Sequence, residues 1–335
     1  MDKKYKDLRD IPWVEKYRPK HLNDIISQTL TVQSLRNFVE KKTLPHLIFA
    51  GPAGTGKTST ARSLINDFLQ TENNRIPQDC MLEKNASDEV RMGKLDQIKN
   101  FVFHRGITNA NHFKFVVLDE ADNIPKAVQS AFRRIIEMAP PNVKFIFMCN
   151  FVEKIIDPVL SRCAIFRFYP LPRAGFDQNM KSIAKNEKIK VSKNVFDAIY
   201  YITLGDMRLA INLFQMIVAL HEDETLDSIP INPDVVYEIS GYLPQKKLDD
   251  LYKYCESLNY GEVLKILNTL QGFSSRGLFR QIMSKVLSSE LNFPVRERLL
   301  TIIAEYDYRL SLSADPQIQI NGFFANLISI LGGTE

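Results

Sequence analysis

The feature that most restricts this chain is the octapeptide Gly51-Pro52-Ala53-Gly54-Thr55-Gly56-Lys57-Thr58. An apolar run, Leu47-Ile48-Phe49-Ala50, precedes it, and a helix-like segment from Ser59 to about Leu69 follows. Strand, glycine loop and helix in that order form the setting in which a P-loop holds phosphate. The glycines let consecutive backbone N–H groups turn inward as a nest for phosphate oxygens. The next helix aims its positive end at the same point, which adds Ser59 to the phosphate cradle. Lys57 is placed to reach the β- and γ-phosphates, and the Thr58 hydroxyl to ligate Mg2+. Nucleotide binding is therefore the first expectation.

Two later apolar runs end in polar residues. Phe113-Lys114-Phe115-Val116-Val117-Leu118 leads into Asp119-Glu120, and Lys144-Phe145-Ile146-Phe147-Met148-Cys149 leads into Asn150. Continuous apolar runs ending this way suit buried parallel strands that present polar groups at their carboxyl edge. Downstream of a P-loop, Asp119 is expected to hold the nucleotide's Mg2+ and Glu120 to orient or deprotonate the attacking water. Asn150 reads either as a turn former or as a hydrogen-bond donor to the γ-phosphate or the water. Upstream, Trp13-Val14-Glu15-Lys16-Tyr17-Arg18-Pro19 is stiffened by proline. It either packs against the domain edge or walls a base pocket, with Val14, Tyr17 and Pro19 apolar and Arg18 near phosphate.

Amphipathic spacing predicts helices over 32–41, 92–103 and 127–138, with the last stopped by Pro140-Pro141. A further short strand is expected at 81–84. After Pro170-Leu171-Pro172 the pattern is almost wholly helical, and a second break falls at Ile229-Pro230-Ile231-Asn232-Pro233. The helix from Met207 begins Gly205-Asp206-Met207-Arg208, a break, an N-cap and an arginine. Arg208 opposes the helix dipole there, so it either meets a charged partner or is simply solvated. The helices after residue 245 carry no motif, and their apolar faces predict a bundle core.

With 335 residues the chain exceeds one typical core. Its 45% apolar and 24% charged residues describe an ordinary globular protein. A formal net charge of +4 permits a nucleic-acid partner without demanding one. Cys80, Cys149, Cys163 and Cys255 lie far apart, so neither a zinc site nor a disulfide framework is expected, and a reducing intracellular compartment fits. The charged start, Met1 to Arg9, predicts no secretory signal, and no run approaches the roughly 20 apolar residues of a membrane span. The guanine signature of GTPases is absent. Asp119-Glu120-Ala121-Asp122 spells the DEAD-box tetrapeptide, but the helicases' other motifs are missing.

Taken in order, Trp13–Pro19, the P-loop, Asn85-Ala86-Ser87-Asp88, Asp119–Asp122, Ser161-Arg162-Cys163 and Gly205–Arg208 resemble the small subunits of the replication factor C clamp loader, which are AAA+ ATPases. The resemblance covers residues 12 to about 215. It implies an α/β AAA+ domain with a parallel sheet over 1–170, a helical lid over 171–231 and an all-α collar over 232–335. It implies ATP and Mg2+ as cofactors, with Gly51 to Ser59, Val14, Arg18, Asn150 and Arg208 at the nucleotide and Thr58 and Asp119 at the metal. Glu120, Asn150, Arg162 and Arg208 are then catalytic, and Arg162 is a finger serving the neighbouring subunit. Asn85 is implied to restrain Glu120 until DNA is bound.

The implied function is to open a sliding clamp with ATP and close it on primer–template DNA within a heteropentamer in the nucleus, or in the cytoplasm where there is none. Lys94, Lys99, Arg105 and Arg133 are the candidate phosphate contacts, each equally readable as a solvated charge. Departures from the family pattern lie at Glu89-Val90-Arg91-Met92, one residue short, and at Met138-Ala139-Pro140-Pro141, which lacks an aromatic residue. Alternatives are a subunit that binds ATP without hydrolysing it, or another AAA+ machine such as a branch-migration motor.

Overall fold

Each of the apolar runs forms a strand of one sheet. A computed structural model describes residues 11–71, 75–86, 95–103, 113–221, 231–269, 272–313 and 315–333. The strands are β1 (His46–Ala50), β2 (Met81–Asn85), β3 (Lys114–Asp119), β4 (Val143–Cys149) and β5 (Cys163–Arg167). They pair in parallel in the order β2-β3-β4-β1-β5. The two-residue alternation of a strand divides β1 between two cores. Ile48 and Ala50 pack with Val116, Leu118, Phe145 and Phe147 on one face, whereas Leu47 and Phe49 pack with Phe115, Val117, Ile146 and Met148 on the other.

Helices cover both faces, as an all-parallel sheet requires. α1 (Trp13–Lys16) is a single turn. α2 (Thr29–Glu40) and α3 (Lys57–Leu69) bury Val32, Leu35, Leu64, Ile65 and Phe68 against the Phe49 face. α4 (Leu95–Phe103) and α5 (Lys126–Met138) bury Ile98, Val102, Phe132 and Ile136 against the Ile48 face. Along the chain follow α6 (Asp157–Leu160), α7 (Arg173–Asn186), α8 (Lys193–Thr203) and α9 (Met207–His221). The helices expected over 32–41 and 127–138 thus form within a few residues of their predicted limits, the start of the one expected over 92–103 lies outside the described residues, and the short α1 and α6 were not anticipated.

The chain divides into two compact units, 1–190 with 203–212 and 191–202 with 213–335. Each has its own core. In the second, α11 (Gln245–Glu256), α12 (Tyr260–Thr269), α13 (Ser275–Ser288), α14 (Phe293–Leu312) and α15 (Pro316–Leu331) follow the short α10 (Pro233–Ile239). Leu251, Cys255, Leu267, Ile282, Leu299 and Leu327 pack around Phe279, Phe323 and Phe324. Local chemistry sets the helix starts: the side chains of Asn232, Asn292 and Asp315 cap the N–H groups of Val235, Val295 and Gln317, each beside a proline in the first turn. The four cysteines are free thiols. No described helix is long and apolar enough to cross a membrane.

One partly buried contact of the sheet makes stability depend on pH. His46 Nδ1 accepts a hydrogen bond from the Phe145 N–H at 3.1 Å, which requires the neutral ring. Burial, helped by Lys144, pushes the His46 pKa down to about 4, against about 6.5 in an unfolded chain. The unfolded state therefore binds the extra proton first as pH falls. This contribution is complete above about pH 6.5 and is lost progressively towards pH 4. His46→Asn keeps an acceptor but cannot titrate, so its thermal midpoint should fall less than the wild-type value between pH 7 and pH 4.5. Parallel curves would remove His46 as the cause.

Candidate nucleotide-binding site

The carboxyl ends of β1, β3 and β4 bring the P-loop, Asp119-Glu120 and Asn150 to one edge of the sheet, the place where such folds bind ligands. A cavity of about 370 Å3 opens there, wholly within the first unit. It is lined by Ala53 to Ser59, Asp119, Glu120 and Asn150, by Val14, Tyr17 and Arg18, and by Arg208.

Two glycines are required for distinct reasons. Gly56 lies at φ 93°, immediately before α3, with nothing within 4 Å of the point where a Cβ would stand. Its need is conformational. Gly54, at φ 70°, is also sterically confined, because a Cβ there would lie 1.8 Å from Asp206 Oδ1. Asp206 in turn accepts from Leu209 N at 3.0 Å and caps α9, and Met207 N donates to Gly54 O at 3.4 Å. The start of α9 thus rests on the loop, and Arg208 in its first turn faces the same cavity as Lys57.

Lys57 is 9% exposed, and burial lowers its pKa. Its ammonium donates to Gly51 O at 2.6 Å, Pro52 O at 2.8 Å and Asn150 Oδ1 at 3.1 Å. Gly51 and Pro52 therefore act through their carbonyls and do not line the cavity. Thr58 Oγ1 donates to Asp119 Oδ2 at 3.3 Å, and Asp119 Oδ1 accepts from the Glu120 N–H at 2.9 Å. Glu120 has a left-handed backbone, φ 53°, an unfavourable state for a residue with a Cβ that is often retained at functional sites. Its carboxylate accepts from Asn123 Nδ2 at 3.3 Å. Asn85 stands level with Asp119 in the β2–β3 register.

Arg18 donates to Glu15 through Nε at 3.0 Å, and this pairing holds the Glu15 carboxyl below its ordinary range. Met207, beside Arg208, also lines the cavity, as do Ile25, Ile26, Ser27, Asn179 and Ile211, which no sequence pattern singles out. Being ordinary apolar or polar residues on separate segments, they carry no motif.

Other expected site residues lie elsewhere. Arg162 is not among the cavity residues; its guanidinium donates to Glu137, to Pro158 O at 2.7 Å and to Ser161 Oγ at 3.2 Å. Arg133 Nε also meets Glu137, at 3.1 Å, and Lys99 meets Asp96 at 3.1 Å. Lys94 and Arg105 lie outside the described residues, as do Ser87-Asp88 and Glu89–Met92.

Comparison with known proteins agrees with this geometry. Residues 47–171 match the ATPase family associated with various cellular activities (AAA), and residues 243–326 match the replication factor C C-terminal domain. The replication factor C small subunit of Sulfurisphaera tokodaii is 38% identical over 326 residues, covering 95% of each chain. That of Archaeoglobus fulgidus is 35% identical over 322 residues, covering 95% of this chain and 97% of its own. Among solved structures, the Thermotoga maritima RuvB Holliday junction branch migration motor superposes with a TM-score of 0.55 at 18% identity, over 75% of this chain and 85% of that one. That likeness bears on the fold alone.

Proposed function

The chain belongs to the replication factor C small-subunit family of AAA ATPases, and from that premise we propose that it is an ATP-hydrolysing subunit of a clamp loader, opening a sliding clamp and closing it on primer–template DNA in replication and repair. It binds ATP and is an ATP hydrolase, as the family is. The observation that carries the finer reading is the convergence of Lys57, Thr58, Asp119, Glu120, Asn150 and Arg208 on one cavity that does not include Arg162. This is a nearly complete ATP site whose own arginine finger is elsewhere.

The Thr58 hydroxyl and Asp119 carboxylate form a pair of hard oxygen donors, which suits Mg2+ held largely by phosphates and water. Among the described residues no cluster of three His, Cys, Asp or Glu side chains forms a dedicated metal cage. The ion's contribution is to neutralise phosphate charge. Lys57 and Arg208 supply fixed positive charge at the β- and γ-phosphates, and Asn150 and Glu120 position and deprotonate the attacking water. Arg162 extends the same electrostatics into the neighbouring protomer's site. Val14 and Arg18 flank the adenine nucleotide.

In this reading 1–170 is the ATPase domain, 171–231 the lid and 232–335 the collar that joins the subunits of a heteropentamer. The partners are a large subunit, small-subunit paralogues, the clamp and DNA, and the location is the nucleus where the cell has one. Lys94, Lys99, Arg105 and Arg133 track phosphates without reading bases. The intact Lys57, Thr58, Asp119 and Glu120 favour hydrolysis over the alternative of a silent structural clip.

The deciding experiment is co-purification with subunit counting, then ATPase assays with clamp and primed DNA. A five-subunit assembly whose hydrolysis rises with both additions is the expected result, and a homo-hexamer indifferent to the clamp would refute it. Four phosphate contacts would weaken DNA binding about a hundredfold between about 50 and about 200 mM salt, independently of sequence. Strong base preference would contradict that mode.

A further inference from the structure

Glu187 sits where local physics disfavours it. It follows the last residue of α7, and its N–H still bonds to Ile183 O at 3.0 Å, so its carboxylate stands at the negative end of the helix dipole. What compensates is distant in sequence. Lys16 Nζ lies 2.6 Å from Glu187 Oε1, and the Tyr17 hydroxyl donates to the same oxygen. Burial works to raise the Glu187 pKa, and the Lys16 and Tyr17 contacts overcome it, leaving the carboxyl below its ordinary value. Burial and the adjacent carboxylate raise the Tyr17 hydroxyl, so it remains a donor.

These two partners belong to the wall of the nucleotide cavity. Lys16 and Tyr17 line it together with Val14, Arg18 and Pro19, and Asn179 of α7 lines it from the other helix. Asn179 and Glu187 are about two turns apart on one helix axis, so that axis meets the wall segment at Glu187 and the cavity at Asn179. The Lys16 side chain is 42% exposed, and such an ion pair contributes little alone. The partly buried, charge-assisted bond from Tyr17 is the stronger half.

We propose that Glu187 is a positioning residue for ATP: its carboxylate latches the Val14–Pro19 wall to the end of α7 and so sets the width of the cavity. The inference rests on the reading of this cavity as the ATP site. Without the latch the wall is free to move, and binding energy is lost before any chemistry.

The test uses the full chain and a fluorescent ATP analogue. Glu187→Ala and Tyr17→Phe should each weaken binding about tenfold, and the double variant should be no worse than either. Glu187→Gln retains an oxygen for the Tyr17 hydroxyl and should recover most of the affinity. In the assembled ATPase, Glu187→Ala should raise KM and leave kcat unchanged. Wild-type affinity in Glu187→Ala, or losses that simply add in the double variant, would overturn the latch. Should Glu187→Ala not fold, Tyr17→Phe decides, because wild-type affinity in that variant again refutes the latch. Failure of the wild-type chain to bind the analogue would instead strike the ATP reading of the cavity.

Discussion

Glu120→Gln should leave ATP binding intact and cut hydrolysis at this subunit's site by about 10²- to 10⁴-fold, the range that a positioned general base supplies. The substitution preserves shape, so the Asn123 contact and the left-handed backbone at Glu120 have no reason to change. Lys57 and Thr58 keep their partners at Asn150 and Asp119. What disappears is the carboxylate that accepts a proton from water. The measurement is single-turnover hydrolysis in an assembly whose other sites are silenced, alongside analogue binding. Normal turnover would take Glu120 out of the chemistry. Weakened binding would instead make it part of the phosphate cradle.

Arg162→Ala should act on a different molecule. Its guanidinium is held by Glu137, Pro158 and Ser161 and is absent from the cavity of its own chain. A guanidinium brought to a neighbour's γ-phosphate contributes about 10³- to 10⁵-fold in rate, because the transition state spreads charge over the transferred oxygens. In mixed assemblies with only the neighbouring site active, Arg162→Ala should remove hydrolysis on that scale, while ATP binding to the mutated chain stays normal. Arg162→Lys keeps the charge without the planar fork and should recover only part of it. A defect confined to the mutated chain's own site would end the trans assignment.

The parts of the site that were legible in the sequence are those whose physics is local. A glycine loop between an apolar run and a helix needs no distant information, nor does a buried strand that ends in Asp119-Glu120 or Asn150. The cavity wall was legible only in half. Val14, Tyr17 and Arg18 stood out through the proline-stiffened segment, whereas Ile25, Asn179 and Ile211 became lining residues only when separate segments met. Charges were least legible. Arg18, Lys99, Arg133 and Arg162 read alike as candidates, and the folded chain pairs each with a specific acid.

By itself, then, the sequence determined that a glycine loop at Gly51–Thr58 lies between a strand and a helix and that two further strands lead into Asp119-Glu120 and Asn150, since these follow from backbone freedom and side-chain period. Only the tertiary structure decided that β1 lies between β4 and β5, that Asp206 rests on Gly54, and that Glu187 meets Lys16 and Tyr17. Those outcomes depend on through-space packing of surfaces far apart in the chain. Apolar burial drives that packing without naming its partners, so no local pattern encodes which side chains meet.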